Sequence, residues 1–89
     1  MTTAQIKEKV RDSFEGVDSK EFLELKIKEQ LKIHANNFSI WKTKAPKGTL
    51  EEWKAFNTET VNLKTTDNSE VLAIGVFLLA LDEFNPLKL

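Results

Sequence analysis

A helix-start signal recurs four times along this chain of 89 residues, and it constrains the fold more than any other feature. The first N–H groups of a helix lack partners, so an oxygen-bearing N-cap side chain accepts from one of them. A Glu or Gln three residues later can accept in return from the N-cap N–H. The signals are Thr2 with Gln5, Asp18 with Glu21, Thr49 with Glu52, and Asp67 with Glu70. Four starts predict four helices.

Residues that interrupt helices lie between these starts. Gly16 is expected to end the first helix in a left-handed conformation. The breaker cluster 45–48 precedes the third start, the polar turn 65–68 precedes the fourth, and Pro86 stops the last helix. The expected fold is therefore all-α, one compact four-helix domain spanning residues 1–89. Its helices are predicted near 3–15, 19–42, 50–63 and 68–84.

The second predicted helix carries two apolar stripes. One stripe comprises Leu23, Ile27, Leu31, Ala35, Phe38 and Trp41. The other lies roughly opposite at ~100° per residue and comprises Phe22, Leu25, Ile33 and Ile40. Both stripes have to be covered, so this helix is either the central element of the bundle or in contact with a partner chain.

Alternating segments leave a second fold open. Residues 23–27 and 31–35 alternate apolar with polar side chains, which also suits an α+β fold with a short hairpin in 20–42, turning at Asn36-Asn37. The abundance of Leu, Lys, Glu, Gln and Ala in this stretch favours a helix. Residues 57–63 alternate as well and could form a short strand or a frayed helix end.

The apolar run 71–81 is too short to cross a bilayer, because eleven helical residues span only ~16 Å of a ~30 Å core. It is predicted to be a buried core helix, in which Gly75 permits close approach of a neighbour against the Ala73 or Ala80 surfaces. The N-terminus has no apolar signal segment. We therefore expect a cytoplasmic protein without membrane contact.

The inventory of reactive side chains is small. The absence of cysteine excludes disulfides, zinc–thiolate sites and cysteine nucleophiles. His34 is the only histidine and has no carboxylate three or four residues away, and the three glycines are too isolated to form a phosphate loop. The sequence therefore predicts a protein that is not an enzyme and that uses neither a metal nor another cofactor.

A lysine cluster supports an alternative function, a nucleic-acid-binding accessory protein. Trp41 and Trp53 lie near it in sequence and could stack on bases. Against this, the net charge is −1 and Arg11 is the only arginine, although arginine is the preferred reader of bases and phosphates. The cluster comprises Lys42, Lys44, Lys47 and Lys54. Nucleic acid is therefore the less favoured partner.

Protein–protein interaction is the favoured function, because the chain has more large apolar residues than so small a core needs. The tail 84–89 ends in two leucines, which could cap the bundle or dock into another subunit. We expect a homodimer, with a foreign protein as a further possible partner. The predicted interface residues are Phe22, Leu25, Ile33, Ile40, Leu87 and Leu89.

Composition gives one further indication. The chain is rich in Lys, Asn, Thr and Glu, which is typical of AT-rich bacterial or viral genomes. Small accessory, assembly, immunity or inhibitor proteins of bacteria and phages have a similar size and helix content. No motif selects one of these classes, so no residue is assigned by resemblance.

Overall fold

The computed structural model describes residues 1–88, and within them the chain forms four α-helices and one short 3₁₀ helix. The helices are α1 (Thr3–Ser13), α2 (Val17–Lys44), α3 (Leu50–Glu59), α4 (Asn68–Glu83) and the 3₁₀ helix Pro86–Lys88. No strand occurs in this part of the chain. The all-α prediction is thus confirmed. The hairpin in 20–42 is wrong, because one continuous helix runs through those residues.

Three of the predicted helix starts are confirmed by their hydrogen bonds. The Thr2 hydroxyl accepts from the Gln5 N–H at 3.1 Å, and the Gln5 side chain accepts from the Thr2 N–H at 2.8 Å. The same reciprocal pair joins Thr49 and Glu52, both bonds measuring 3.2 Å. Asp67 caps α4 through one bond of 3.2 Å to the N–H three residues later. Side-chain oxygens therefore set the first turns of α1, α3 and α4.

The predicted start of α2 is wrong. Gly16 is the N-cap, extended at φ −67° and ψ 158°, and makes no side-chain capping bond. It does not adopt the left-handed conformation expected of it. Asp18 instead lies inside the first turn of α2, where the positive end of the helix dipole favours its carboxylate. A spacing of three residues also occurs within a helix, so the Asp18–Glu21 pair did not mark a boundary.

The C-terminal end of α3 comes earlier than predicted. The helix ends at Glu59, and the Thr60 N–H bonds back to the Asn57 carbonyl at 3.3 Å. The Asn57 amide and the Thr58 hydroxyl also donate to helix carbonyls, each at 2.8 Å. Short polar side chains that bond to the backbone compete with helix continuation. Residues 57–63 are consequently a helix end followed by a turn, with no strand among them.

The central helix of the bundle is α4. It contributes side chains to every one of three buried clusters, as expected of a helix that is apolar on all sides. The first cluster contains Val10, Leu23, Ile27, Leu79 and Ala80. The second contains Ile6, Val71 and Leu78, and the third contains Trp53, Leu81 and Phe84. The prediction of a core helix over 71–81 is confirmed, and α2 packs on its flank.

Close approach at Gly75 is confirmed, although the neighbour is α1 and not another surface of small residues. A Cβ atom built on Gly75 would overlap the side chain of Val10 and lie 3.4 Å from the Ile6 carbonyl oxygen. The missing side chain therefore allows α1 to cross α4 at this point.

The molecule is flat. Its Cα atoms extend over 41 × 28 × 16 Å, and the 28 residues of α2, at ~1.5 Å each, run the whole long dimension. The radius of gyration is 13.6 Å, against about 12 Å for a compact domain of this length. Among the described helices, none combines the length and the hydropathy needed to span a bilayer.

Candidate functional site

The second predicted stripe of α2 is exposed. Phe22, Leu25, Ile33 and Ile40 have 48–54% of their surface open to solvent, whereas Leu23 and Ile27 on the opposite stripe are buried. We call these four exposed residues the outer face of α2. The structure thus covers one of the two predicted stripes and leaves the other free.

A groove between α2 and α4 adjoins this face. It has a volume of about 360 Å³, and Phe14 closes one end. The Phe14 ring stacks on Phe22 with centroids 6.0 Å apart. Five residues of α2 form one wall, namely Phe22, Lys26, Glu29, Gln30 and Ile33, and three residues of α4 form the other, namely Leu72, Ala73 and Val76. Both ends of the α2 wall are apolar, and its centre is polar, with one positive charge, one negative charge and the uncharged Gln30.

Sequence reasoning missed the α4 wall of this groove. Leu72 and Val76 are only partly buried and Ala73 is exposed, although the whole run 71–81 was expected to be core. The apolar run 71–81 itself could have indicated this wall. A helix that is apolar all round needs neighbours on every side, and the other three helices leave part of α4 uncovered.

The C-terminal tail leaves the bundle after Phe84, which is buried. Leu87 is 92% exposed, so it does not fold back to cap the bundle. Its N–H donates to the Asn85 side-chain oxygen at 2.9 Å, which holds the turn into the 3₁₀ helix. Leu89, the other predicted tail contact, lies outside the described residues.

The structure gives two of the four clustered lysines contacts within the chain. Lys42 Nζ donates to the carbonyls of Pro46 at 2.9 Å and Gly48 at 2.7 Å, closing the loop between α2 and α3. Lys54 Nζ lies 3.4 Å from the Asp82 carbonyl oxygen. Lys44 and Lys47 are exposed. The lysines therefore do not converge on one free surface.

The aromatic rings near these lysines belong to the interior. Trp53 is buried in the third cluster, and Trp41 packs on the edge of that cluster. Trp41 also stacks on Phe38, with centroids 6.0 Å apart, and covers Gly48 so closely that a Cβ there would overlap the indole. Neither indole offers an open face flanked by lysines on which a base could stack.

His34 is fully buried in an aromatic enclosure. Ring centroids of Phe77, Trp53 and Phe84 lie 4.7, 5.8 and 6.5 Å from the imidazole. Nε2 donates to the Phe77 carbonyl at 3.0 Å, and Nδ1 has no hydrogen-bond partner. Burial lowers the pKa of His34, the bond to Phe77 partly opposes this, and the charge of Lys54 lowers it further. His34 is thus a neutral core residue with no surface exposed to solvent.

Metal ligation has no evident place either. Over the described residues, no group of three or more His, Asp or Glu side chains is arranged to hold an ion. The carboxylate of Asp82, near the end of α4, instead forms an ion pair with Lys7 of α1 at 2.7 Å. This charge joins two helices of the bundle.

No protein-family model, no curated protein and no solved structure matches this chain. The outer face of α2 and the adjoining groove are the features that most need a functional explanation, because exposed apolar patches on small domains often mark interaction sites.

Proposed function

We propose that this chain is a small protein–protein interaction module that self-associates as a homodimer through the outer face of α2. The observation that carries the proposal is the simultaneous exposure of Phe22, Leu25, Ile33 and Ile40 on one helix. Single exposed apolar residues are ordinary on protein surfaces. Four large ones aligned along one helix constitute a surface suited to association.

The exposed area supports this proposal. A compact monomer of 10.2 kDa would expose about 5300 Å², whereas this chain exposes 6160 Å². A stable interface covers ~800 Å² on each partner, roughly an eighth of the total. Association through α2 would therefore bring the chain close to the exposed area expected for its size.

The position of α4 adds a second line of support. A helix with two apolar stripes is either central or shared with another chain, and α4 takes the central place. Residues 1–88 thus leave the outer face of α2 about half exposed. The exposed Leu87 offers a secondary contact outside this face.

Binding without chemistry suits an accessory, assembly or inhibitor protein. The buried, neutral state of His34 leaves the described surface without a histidine to act as an acid or base. We extend the proposal to a cytoplasmic protein of a bacterium or phage, on the compositional grounds given above. A foreign protein could use the same face in place of the second copy.

The test is the solution mass of an Ile33→Asp variant, measured by light scattering over a dilution series to low micromolar concentration. Ile33 is half exposed, so a monomer can hydrate the new carboxylate. An interface would bury the carboxylate without a partner, which is costly. We expect the wild type to be a dimer and the variant to be a monomer of unchanged helicity.

Phe56→Asp is the matched control, because Phe56 is 60% exposed but belongs to α3. It should leave the dimer intact. A wild type that is monomeric at every concentration would refute self-association and point to a foreign partner. A variant of Ile33 that loses its helical signal would show that this side chain supports the fold itself.

A further inference from the structure

The charges on the α2 wall of the groove indicate how two copies would meet. The fifth residue of this wall is Gln30, and we call the other four, Phe22, Lys26, Glu29 and Ile33, the seam. Their spacing of four, three and four residues is that of helices packing side by side with interlocking side chains. The order along the seam is apolar, positive, negative, apolar.

This order is complementary to itself when reversed. Two-fold symmetric contacts are reciprocal, so that if residue i of one copy touches residue j of the other, j also touches i. Reversing the seam places Phe22 opposite Ile33 and Lys26 opposite Glu29, in both halves of the contact. Within the seam, each apolar side chain then meets an apolar one and each charge meets its opposite, whereas Gln30 lies opposite the partner's Leu25.

We propose that the groove is covered by α2 of a second copy, antiparallel and two-fold symmetric, with Phe22 against the partner's Ile33 and Lys26 against the partner's Glu29. This inference rests on the proposed self-association and specifies its geometry. The two charged side chains lie beside one another on the wall of the groove. Lys26 Nζ lies 3.7 Å from Glu29 within the chain and 5.3 Å from the Phe22 ring centroid.

Other arrangements of two copies are less favourable. A parallel pair in register sets Lys26 against Lys26 and Glu29 against Glu29, so that like charges repel at the centre of the contact. Sliding an antiparallel copy by one heptad sets Glu29 against the partner's Ile33 and Lys26 against the partner's Asn36. That register desolvates a carboxylate beside an apolar side chain and leaves it without a partner.

The α4 wall suits the approach of a second helix. Ala73 lies opposite the seam and is exposed, so its small side chain leaves room for the partner's α2. Leu72 and Val76 beside it are only partly covered. The partner's seam would therefore rest on both walls and bury the part of α4 that the chain itself leaves uncovered.

This register also predicts which part of the outer face stays free. The position opposite Ile40 would be the partner's Glu15, which precedes α2. Ile40 is therefore left outside the contact, whereas Ile33 lies within it. The two isoleucines are 50% and 51% exposed, so they form a matched pair for mutation.

The first test compares Ile33→Asp with Ile40→Asp by sedimentation velocity over a concentration series. We expect Ile33→Asp to raise the dimer Kd by roughly tenfold or more, because it buries an unpaired carboxylate. Ile40→Asp should change the Kd by less than about twofold. Equal effects of the two variants would overturn the register and leave self-association standing. A wild type without a dimer would overturn both.

The second test uses the charges. Lys26→Glu and Glu29→Lys each create two like-charge contacts in the proposed dimer, so each variant alone should dimerise less tightly than the wild type. An equimolar mixture restores both opposite-charge contacts and should dimerise more tightly than either variant by itself. A mixture no better than its components would contradict the Lys26–Glu29 pairing.

Cysteine cross-linking determines the orientation, and the chain contains no cysteine of its own to interfere. The Lys26→Cys and Glu29→Cys variants are mixed under oxidising conditions. In a mixed dimer the two new cysteines face each other, and the other Lys26–Glu29 contact remains intact. We expect a disulfide between the two different variants and little within either alone. Self-cross-linking of Lys26→Cys would indicate parallel helices, and no cross-link in a dimeric mixture would overturn the proposed contact.

Discussion

The crossing of α1 over α4 at Gly75 predicts the sign of the stability change caused by Gly75→Ala. In the middle of an exposed helix, Gly→Ala stabilises by about 1 kcal/mol through helix propensity. At Gly75 the new Cβ would overlap a γ-methyl of Val10 and lie 3.0 Å from its Cβ. Rotating the Val10 side chain moves the methyl but not the Cβ, so α1 itself has to shift.

The expected magnitude follows from these opposing effects. Overpacking of a well-filled core costs ~1–3 kcal/mol, and Val10 is fully buried. Gly75→Ala should therefore lower the free energy of unfolding by up to about 2 kcal/mol net. For a domain of this size, each kcal/mol lowers the Tm by roughly 4–8 °C.

A double-mutant cycle isolates the contact. Val10→Ala alone should cost ~2 kcal/mol, because it removes two buried methyl groups and leaves a cavity. In that background the overlapping methyl is absent, so Gly75→Ala should cost little or become stabilising. The coupling between the two positions is then about 1–3 kcal/mol, well above the ~0.5 kcal/mol scatter of independent sites.

The assay is chemical denaturation followed by far-UV circular dichroism, with all four proteins at one concentration because association shifts apparent stability. Gly75→Ala that stabilises the wild-type background by ~1 kcal/mol would show that α1 does not approach α4 as described. Additive effects of the two substitutions would refute the contact equally.

Two further predictions concern buried and capping groups. Burial lowers the pKa of His34 below its usual 6.5, so on acidification the unfolded chain binds a proton before the folded chain does. The contribution of His34 to the free energy of unfolding should therefore be at its full value above pH 6.5. Below pH 6.5 it should decrease, by at most ~1.4 kcal/mol per pH unit. The His34→Gln variant should lack this component, so the difference between the free energies of unfolding of wild type and variant should change with pH below 6.5. Parallel pH profiles of the two proteins would contradict this. Thr49→Ala should lower the free energy of unfolding by about 1 kcal/mol and speed amide exchange at the start of α3. Exchange at the start of α1, which Thr2 caps, should not change. Unchanged protection of the Glu52 amide would contradict a capping role for Thr49.

Local signals predicted the helices well wherever a side chain contacts its own first turn. Thr2 and Thr49 form the reciprocal bonds that their spacing implies, and Asp67 forms one of them. Asp18 shows the limit of such signals, because the same spacing arises inside a helix. α2 begins earlier, after the extended N-cap Gly16, which makes no side-chain capping bond that the sequence could have indicated.

Periodicity predicted apolar faces but not their partners. It identified both stripes of α2 and left open whether α2 was the central helix or in contact with a partner chain. Only the three-dimensional arrangement assigns the centre to α4 and exposes Ile33 and Ile40. The groove was not foreseeable, because its two walls are separated by some 40 residues of sequence and Ala73 looked like core.

The part played by α4 in all three buried clusters has a consequence for synthesis on the ribosome. The segment 71–84 supplies the packing partners of Val10, Ile27 and Trp53 and is translated after them. The first three helices can form locally as they emerge, but none of their buried faces is complete until that segment leaves the exit tunnel. The nascent chain therefore presents both stripes of α2 at once, and the packing of its interior is a late event that follows translation of the fourth helix.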